Sequence, residues 1–356
     1  MADTITLRLA SGHAQVPFDL PRANLLGVYD IQEPDESPDE PAIIRRALAE
    51  PVGTPRLREL ARRGQKVAIV ASDLTRPCPS DKLLPPVLEE LAAAGVPDRD
   101  VTVVMALGLH RAMTAAEMKA AVGPEVYRRV QVINHDPTAT VRVGTTSRGT
   151  PVEIFRPVVK ADVRVCVANL EFHYFAGYSG GAKSILPGCA SAETVTANHA
   201  MMVRPEAVTA RLEGNPVRAD IEEGAALVGV DFILNALVDG QHRVVGAVAG
   251  DVVAAHRRGC AWVAERGIVV IPRLADIVIA SAGGHPKDVN LYQAQKALDN
   301  AVCAVREGGI IILVAECPEG CGSGTFEDWM THSDSPQELL DRIQKRFVLG
   351  GHKAAA

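Results

Sequence analysis

The sequence of 356 residues lacks any apolar run approaching the roughly 18 residues of a membrane-spanning helix. It also lacks basic blocks, since like charges cluster only in pairs such as Arg45-Arg46 and Arg257-Arg258. The first absence argues against a membrane partner. The second, with a net charge of −6, removes the basic footprint that nucleic acid requires. The opening segment alternates polar and apolar residues like a strand rather than a signal peptide, so a cytoplasmic protein is expected. Seven cysteines, odd in number and scattered, do not make a disulfide framework. Cys317 and Cys321 form one C-x3-C pair where zinc sites usually show two.

What is present is the composition of a globular protein. With 47% hydrophobic and 22% charged residues, disorder and fibrous classes are excluded. The length suits about two domains. Short β-branched runs bounded by turn residues predict buried strands at Lys66–Ala71 and Val101–Ala106, and further strands in the same pattern at Val130–Ile133, Asp162–Leu170 and Ala275–Ala280. Further strands are expected at Thr4–Leu9 and Gly309–Ala315, and a Pro-rich loop over Glu33–Pro41. Helices are predicted over 41–50, 80–94, 114–122, 191–203, 250–266 and 291–305. The third opens on Thr114-Ala-Ala-Glu117, a capping box. The fourth stops at Arg204-Pro205.

Strands alternating with helices predict an α/β fold of two α/β domains with mainly parallel sheets. Residues 1–270 would form the larger domain and 271–356 a smaller one. The last ten residues read as the opening of a helix with nothing closing it, so that either the chain is truncated there or its last element is minimal. Ligands of such sheets bind at the carboxyl ends of strands, where Asp73, Arg76 and His110 fall.

The segment Gly177-x4-Ala182-Lys183-Ser184 misses the P-loop pattern by one glycine, so a phosphate-handling transferase or ATPase has to be weighed. A P-loop lysine opens a helix. Here Pro187-Gly188 follows within about a turn, and proline there removes a hydrogen bond and clashes with the preceding carbonyl. What survives is a loop of small residues whose N–H groups can form an anion nest, with a lysine at its end.

The stretch His173-Tyr-Phe-Ala-Gly-Tyr-Ser-Gly-Gly-Ala-Lys-Ser-Ile-Leu-Pro-Gly188 resembles the core motif of the nickel-pincer lactate racemase family. So do Ser72–Pro77, Gly108–Arg111, Asn198-His199, Gly283–Asp288 and Tyr292–Lys296, in order from about residue 70 to 320. The resemblance implies racemisation or epimerisation of a 2-hydroxy acid through a 2-keto acid. It further implies a nickel pincer nucleotide, a pyridinium thioamide thiocarboxylic acid mononucleotide, covalently bound to Lys183 and made by dedicated cofactor-synthesis enzymes. By the same resemblance His199 supplies a nickel ligand, while His110 and His173 act as bases.

The chemistry agrees with that expectation. An α-hydrogen beside a carboxylate is barely acidic, so its removal as hydride needs an electron sink, and imidazole suits the hydroxyl proton. The cofactor phosphate would suit the nest of Ser179, Gly180, Gly181 and Ser184. Arg76 offers a planar fork for the substrate carboxylate. Tyr292 and Lys296 lie one helical turn apart, with Gln293 beside them, so an active site in the interdomain cleft is expected. Asp73 is expected to orient either His110 or Arg76. Lys287 and Asp288 have the character of a helix-start pair. The remaining alternative is a relative that binds the cofactor or a hydroxy acid without turnover.

Overall fold

The computed structural model describes residues 3–30, 38–348 and 350–355. Residues 33–37 of the expected Pro-rich loop lie outside them. By its internal contacts the chain divides into two units, Gln32–Ile268 and a second formed by Met1–Ile31 with Val269–Ala356.

The larger unit is built on a six-stranded sheet. Its strands are Val67–Ser72, Val101–Ala106, Gln131–Asn134, Val163–Asn169, Phe232–Val238 and Val244–Gly250. Taken in chain order, they lie across the sheet as third, second, first, fourth, fifth and sixth. All neighbours are parallel except the last pair. This is the doubly wound order, in which the chain first builds outward on one side and then returns to build on the other. The turning point falls between Val67–Ser72 and Val163–Asn169, and the crevice there opens at their carboxyl ends.

The continuous apolar runs arise because both faces of this sheet are covered. Ile69 and Ala71 join Val103, Val165 and Phe232 on one face, packed by Leu83, Leu84, Val87, Leu88 and Leu91 of the helix Ser80–Ala93. Val70 points the other way, with Val104, Cys166 and Ile233, and meets Ile154, Ile185, Leu186 and Ile221. Alternation with period two therefore places successive residues in two separate cores. The helix predicted from the Thr114 capping box forms over Ala115–Val122, with both reciprocal hydrogen bonds made.

The smaller unit pairs Ala275–Ser281 in parallel with Val305–Val314 and carries the antiparallel hairpin Thr4–Ser11 and Ala14–Pro21. A single cut near residue 270 would leave that hairpin in the larger domain, whereas the structure groups it with the later segment. The physical reason is Asp288. Its carboxylate accepts from the N–H of Gly12 at 2.7 Å and of Glu316 at 3.1 Å, and Ser281 Oγ donates to Ala10 O at 2.5 Å. Burial pushes the Asp288 carboxyl upward, but these backbone N–H groups outweigh it and lower its pKa. Asp288 is thus a structural link between hairpin and sheet.

The helix expected over 291–305 is broken. It appears as Leu291–Ala294, Lys296–Ala301 and a 3-10 turn Val302–Ala304. The segment Gly351–Ala355 is helical, and the buried Lys353 donates to Tyr292 O at 2.6 Å. All seven cysteines are free thiols, and among the described residues no helix is long and apolar enough to cross a membrane.

Candidate functional site

Three loops leave the carboxyl ends of adjacent strands and carry the expected residues. Ser72 leads into Asp73 and Arg76, Ala106 into His110, and Asn169 into Glu171 and His173. The ambiguity over Asp73 is resolved by distance. His110 Nδ1 lies 2.6 Å from Asp73 Oδ2, while Thr75 donates to Asp73 Oδ1 from its hydroxyl at 2.7 Å and its N–H at 3.2 Å. Burial raises the Asp73 pKa, but the bonds from His110 and Thr75 and the nearby Arg76 charge more than offset it, so the carboxyl is held below its ordinary value. An ionised Asp73 accepts only. His110 must therefore donate from Nδ1, which leaves the lone pair on Nε2, and the ring itself is half exposed.

Arg76 reaches across the turning point of the sheet to Glu171 at 3.6 Å. Its guanidinium is about one-third exposed, with a long, single-point pairing. A bidentate carboxylate would make a better partner for that fork.

His173, Lys183 and His199 gather around one ring that the motif does not advertise, that of Phe175. His173 meets it edge-on at 4.5 Å between centroids and His199 at 4.9 Å. The Lys183 ammonium lies 5.6 Å over the same ring. Burial pushes the His173 pKa well below its ordinary value, and the charges of Lys183, Arg76, His199 and Arg218 push it the same way. His173 is therefore neutral at pH 7. Its Nδ1 accepts from the Ala176 N–H at 3.3 Å, which places the ring proton on Nε2.

His199 closes the helix Ala192–His199, which Ser191 caps by accepting from the Thr194 N–H. Its orientation follows from a chain of buried groups. Thr146 Oγ1 donates to Asp220, Asn198 Nδ2 donates to the other Asp220 oxygen at 2.8 Å, and Asn198 Oδ1 then faces His199 Nδ1 at 3.1 Å. Since that oxygen only accepts, Nδ1 carries the proton and Nε2 keeps its lone pair. An oriented imidazole whose tautomer is fixed from Nδ1 is what a metal ligand needs.

The loop around Lys183 meets one expectation and departs from another. In place of a P-loop helix there is a single 3-10 turn, Gly181–Ser184, and Lys183 is buried within it. The anion nest is differently employed. The Ser179 N–H donates to Glu171 O at 2.8 Å, that of Gly181 to Asn235 Oδ1 at 2.8 Å, and that of Lys183 to Gly180 O. Ser179 Oγ is likewise engaged, donating to Asn169 O and accepting from Glu171 N. These groups close the loop on itself, so the phosphate role expected of Ser179 and Gly181 is not what their geometry serves. Gly180 and Gly181 instead supply left-handed turns at φ 68° and 56°. The Ser184 hydroxyl is drawn to the buried Cys166 thiol.

In the other unit, Tyr292 and Gln293 lie on the first short helix, and Asn290 Oδ1 caps it by accepting from the Gln293 N–H. Lys296 begins the second, so the three share a broken segment rather than one continuous helical face. The Tyr292 ring lies beneath the Lys353 ammonium at 3.7 Å, and burial raises its hydroxyl pKa. Phe175 and Asn198 fall within the motifs without a role having been assigned to them, and Asp220 had no individual signal in the sequence. The dipeptide Asn215-Pro216, a cap followed by proline at the first helical position, could have disclosed the helix that carries Asp220.

Two family profiles match the chain. That of the lactate racemase N-terminal domain covers residues 11–210, and that of the lactate racemase C-terminal domain covers 270–348. A lactate racemase of Thermoanaerobacterium thermosaccharolyticum is 37% identical over 352 residues, spanning 96% of this chain and 81% of that protein. A lactate racemase of Lactiplantibacillus plantarum is 35% identical over 309 residues, spanning 85% and 72%. The solved apoprotein of the first of these relatives superposes with a TM-score of 0.91 at 36% identity, over 99% of this chain and 85% of that one. A Thermotoga maritima protein shares the fold at a TM-score of 0.64 and 20% identity, over 84% and 80%.

Proposed function

The chain belongs to the lactate racemase family, and from that premise we propose that it interconverts the enantiomers of a small 2-hydroxy acid such as lactate, using a nickel pincer nucleotide tethered to Lys183. The observation that carries this reading is the grouping of His173, Lys183 and His199 around Phe175, in a loop cluster that also presents the Asp73–His110 pair.

The donor set suits such a group. Among the described residues no three His, Cys, Asp or Glu side chains are grouped to hold a bare metal ion. One oriented imidazole, His199, suits nickel that brings its other donors with it. Lys183 offers a buried amine for the tether. Loading then depends on the enzymes that make the cofactor, which are the protein's proposed partners.

The cofactor, when bound, supplies the acceptor for the substrate α-hydrogen as hydride. The chain's own residues handle the proton and the charge. His110, with its lone pair on Nε2, takes the hydroxyl proton of one enantiomer, and the ionised Asp73 stabilises the imidazolium that forms. His173, neutral at pH 7, serves the other enantiomer. To accept at Nε2 it first passes its ring proton to Nδ1, giving up the contact there with the Ala176 N–H, and its depressed pKa makes the protonated ring quick to return the proton. Arg76 exchanges its long contact with Glu171 for the substrate carboxylate, and Tyr292, Gln293 and Lys296 are further proposed substrate contacts.

The test is exchange of single enantiomers, lactate first, by protein produced together with the cofactor-making enzymes. Racemisation that falls about 100-fold or more in His110→Ala and His173→Ala is expected for paired acid–base groups. Loaded protein that racemises no 2-hydroxy acid would support a binding role instead.

A further inference from the structure

We infer that Asn215, Arg218 and His256 form a clamp on the backbone of residues 175–179 that fixes where the Lys183 amine stands. The three are positioning residues, and their use in tethering rests on the reading of Lys183 given above.

The basis is an unbroken run of engaged carbonyls. Phe175 O accepts from Asn215 Nδ2 at 2.9 Å, Ala176 O from Arg218 Nε at 3.2 Å, and Gly177 O from the Ala210 N–H at 3.1 Å. Tyr178 O accepts from Arg218 Nη2, and Ser179 O from His256 Nε2 at 2.8 Å. Four of these five donors are side-chain groups, supplied by three residues with 0 to 1% exposure. None belongs to the motif that carries Lys183. Arg218 and Asn215 come from the start of the helix Pro216–Val228, and His256 comes from Ala254–Gly267.

Chemistry favours a positioning task over simple packing. A buried guanidinium is costly, and an apolar side chain of the same volume would fill the space with less penalty. Arg218 is retained nonetheless, with Nη1 unpartnered and its pKa lowered by burial to about 10. Its rigid fork does what an amine cannot, bridging two carbonyls on either side of Gly177. Asn215 binds the clamp to its own helix, because its Oδ1 accepts from the N–H groups of Val217 and Arg218.

The clamp reaches Lys183 from both sides. Phe175, over which the ammonium lies, is held by Asn215 through its carbonyl. On the other side the chain reverses at Gly180 and Gly181, where a Cβ on Gly181 would stand 2.7 Å from the His256 ring. His256 is thus both a donor to Ser179 and the wall that shapes the turn into Lys183.

The test uses the full-length chain and two readouts. Trace acetylation of the cofactor-free protein, followed by peptide mass spectrometry, gives Lys183 reactivity relative to the exposed Lys119. Intact mass of protein made with the cofactor machinery gives the fraction of Lys183 carrying an adduct. His256→Phe keeps a ring without the donor, His256→Gln restores an N–H, and Arg218→Lys keeps charge without the fork. Lys183 acetylation is expected to rise at least fivefold in His256→Phe and Arg218→Lys and to return within twofold of the parent in His256→Gln, with adduct fraction moving oppositely.

Unchanged Lys183 acetylation in folded His256→Phe overturns the inference. So does a rise matched by maleimide labelling of the buried Cys166 and Cys189, which would mean general loosening. If Arg218→Lys fails to fold, the His256 pair decides. An absent adduct on the parent protein overturns the tether reading, and the acetylation result still judges the clamp.

Discussion

His110 and His173 stand on the two loops that flank the Asp73 loop and have the same proposed task, yet they are built in opposite ways. His110 is half exposed and rests on a buried, ionised carboxylate that dictates its tautomer. Among the described residues, no carboxylate hydrogen-bonds to His173. The ring packs on Phe175, receives a backbone N–H, and is surrounded by the charges of Lys183, Arg76, His199 and Arg218. The first arrangement favours imidazolium once the proton is taken. The second resists it. In this pair hydrogen-bond direction sets which nitrogen of His110 faces the carboxylate, while burial and like charge keep His173 neutral.

The comparison breaks most sharply at Asp73. Asp73→Asn can donate to His110 Nδ1, reversing the tautomer and placing the ring proton on Nε2. Turnover is expected to fall by about 100-fold or more, with circular dichroism unchanged. Because enantiomers have equal free energy, kcat/KM must fall equally in both directions, so any inequality between them marks an artefact of the assay.

A second expectation concerns acid. His135 and His352 are buried with pKa values lowered to about 4, and His173 and His256 are lowered as well, in each case chiefly by burial. The unfolded chain takes up these protons at its ordinary histidine pKa while the folded chain does not. Stability from these sites is therefore full above about pH 6.5 and declines as pH falls, by up to about 1.4 kcal/mol per pH unit for each histidine. Urea unfolding at pH 7, 6 and 5 reads the slope, and His135→Gln should reduce it. A flat profile would contradict the burial of these rings.

The smallest effect sharpens the same contrast. Thr75→Val removes the hydroxyl that donates to Asp73 at 2.7 Å but leaves the backbone N–H in place. A net loss of about 1 kcal/mol on the carboxylate corresponds to a few-fold lower kcat, read by steady-state kinetics, with no change at His173.

The difference between the two histidines also marks what the sequence discloses. The strands of the six-stranded sheet from Val67–Ser72 to Val163–Asn169 were legible because short β-branched runs bounded by turn residues favour strand over helix, and His110 was legible because it follows such a run. The motif singled out Lys183 and His199 as well. The clamp was not legible, since Asn215, Arg218 and His256 lie 40 to 77 residues from the carbonyls they hold and meet them only through the sheet's long crossovers. The nest was misjudged for a related reason. A string of glycines shows that N–H groups can converge, but the partners that engage them, Glu171 O and Asn235 Oδ1, come from the loop after Val163–Asn169 and from within the strand Phe232–Val238. The helix at 291–305 looked continuous by spacing, yet its backbone regroups at Gln295, which closes one turn and opens the next.

The most direct test of the account is the mass of residue 183. Protein made together with the cofactor-synthesis enzymes should carry a covalent adduct on the Lys183 peptide and about one nickel per chain, with the metal lost and the adduct retained in His199→Ala. Full racemase activity from protein whose Lys183 is unmodified would contradict it.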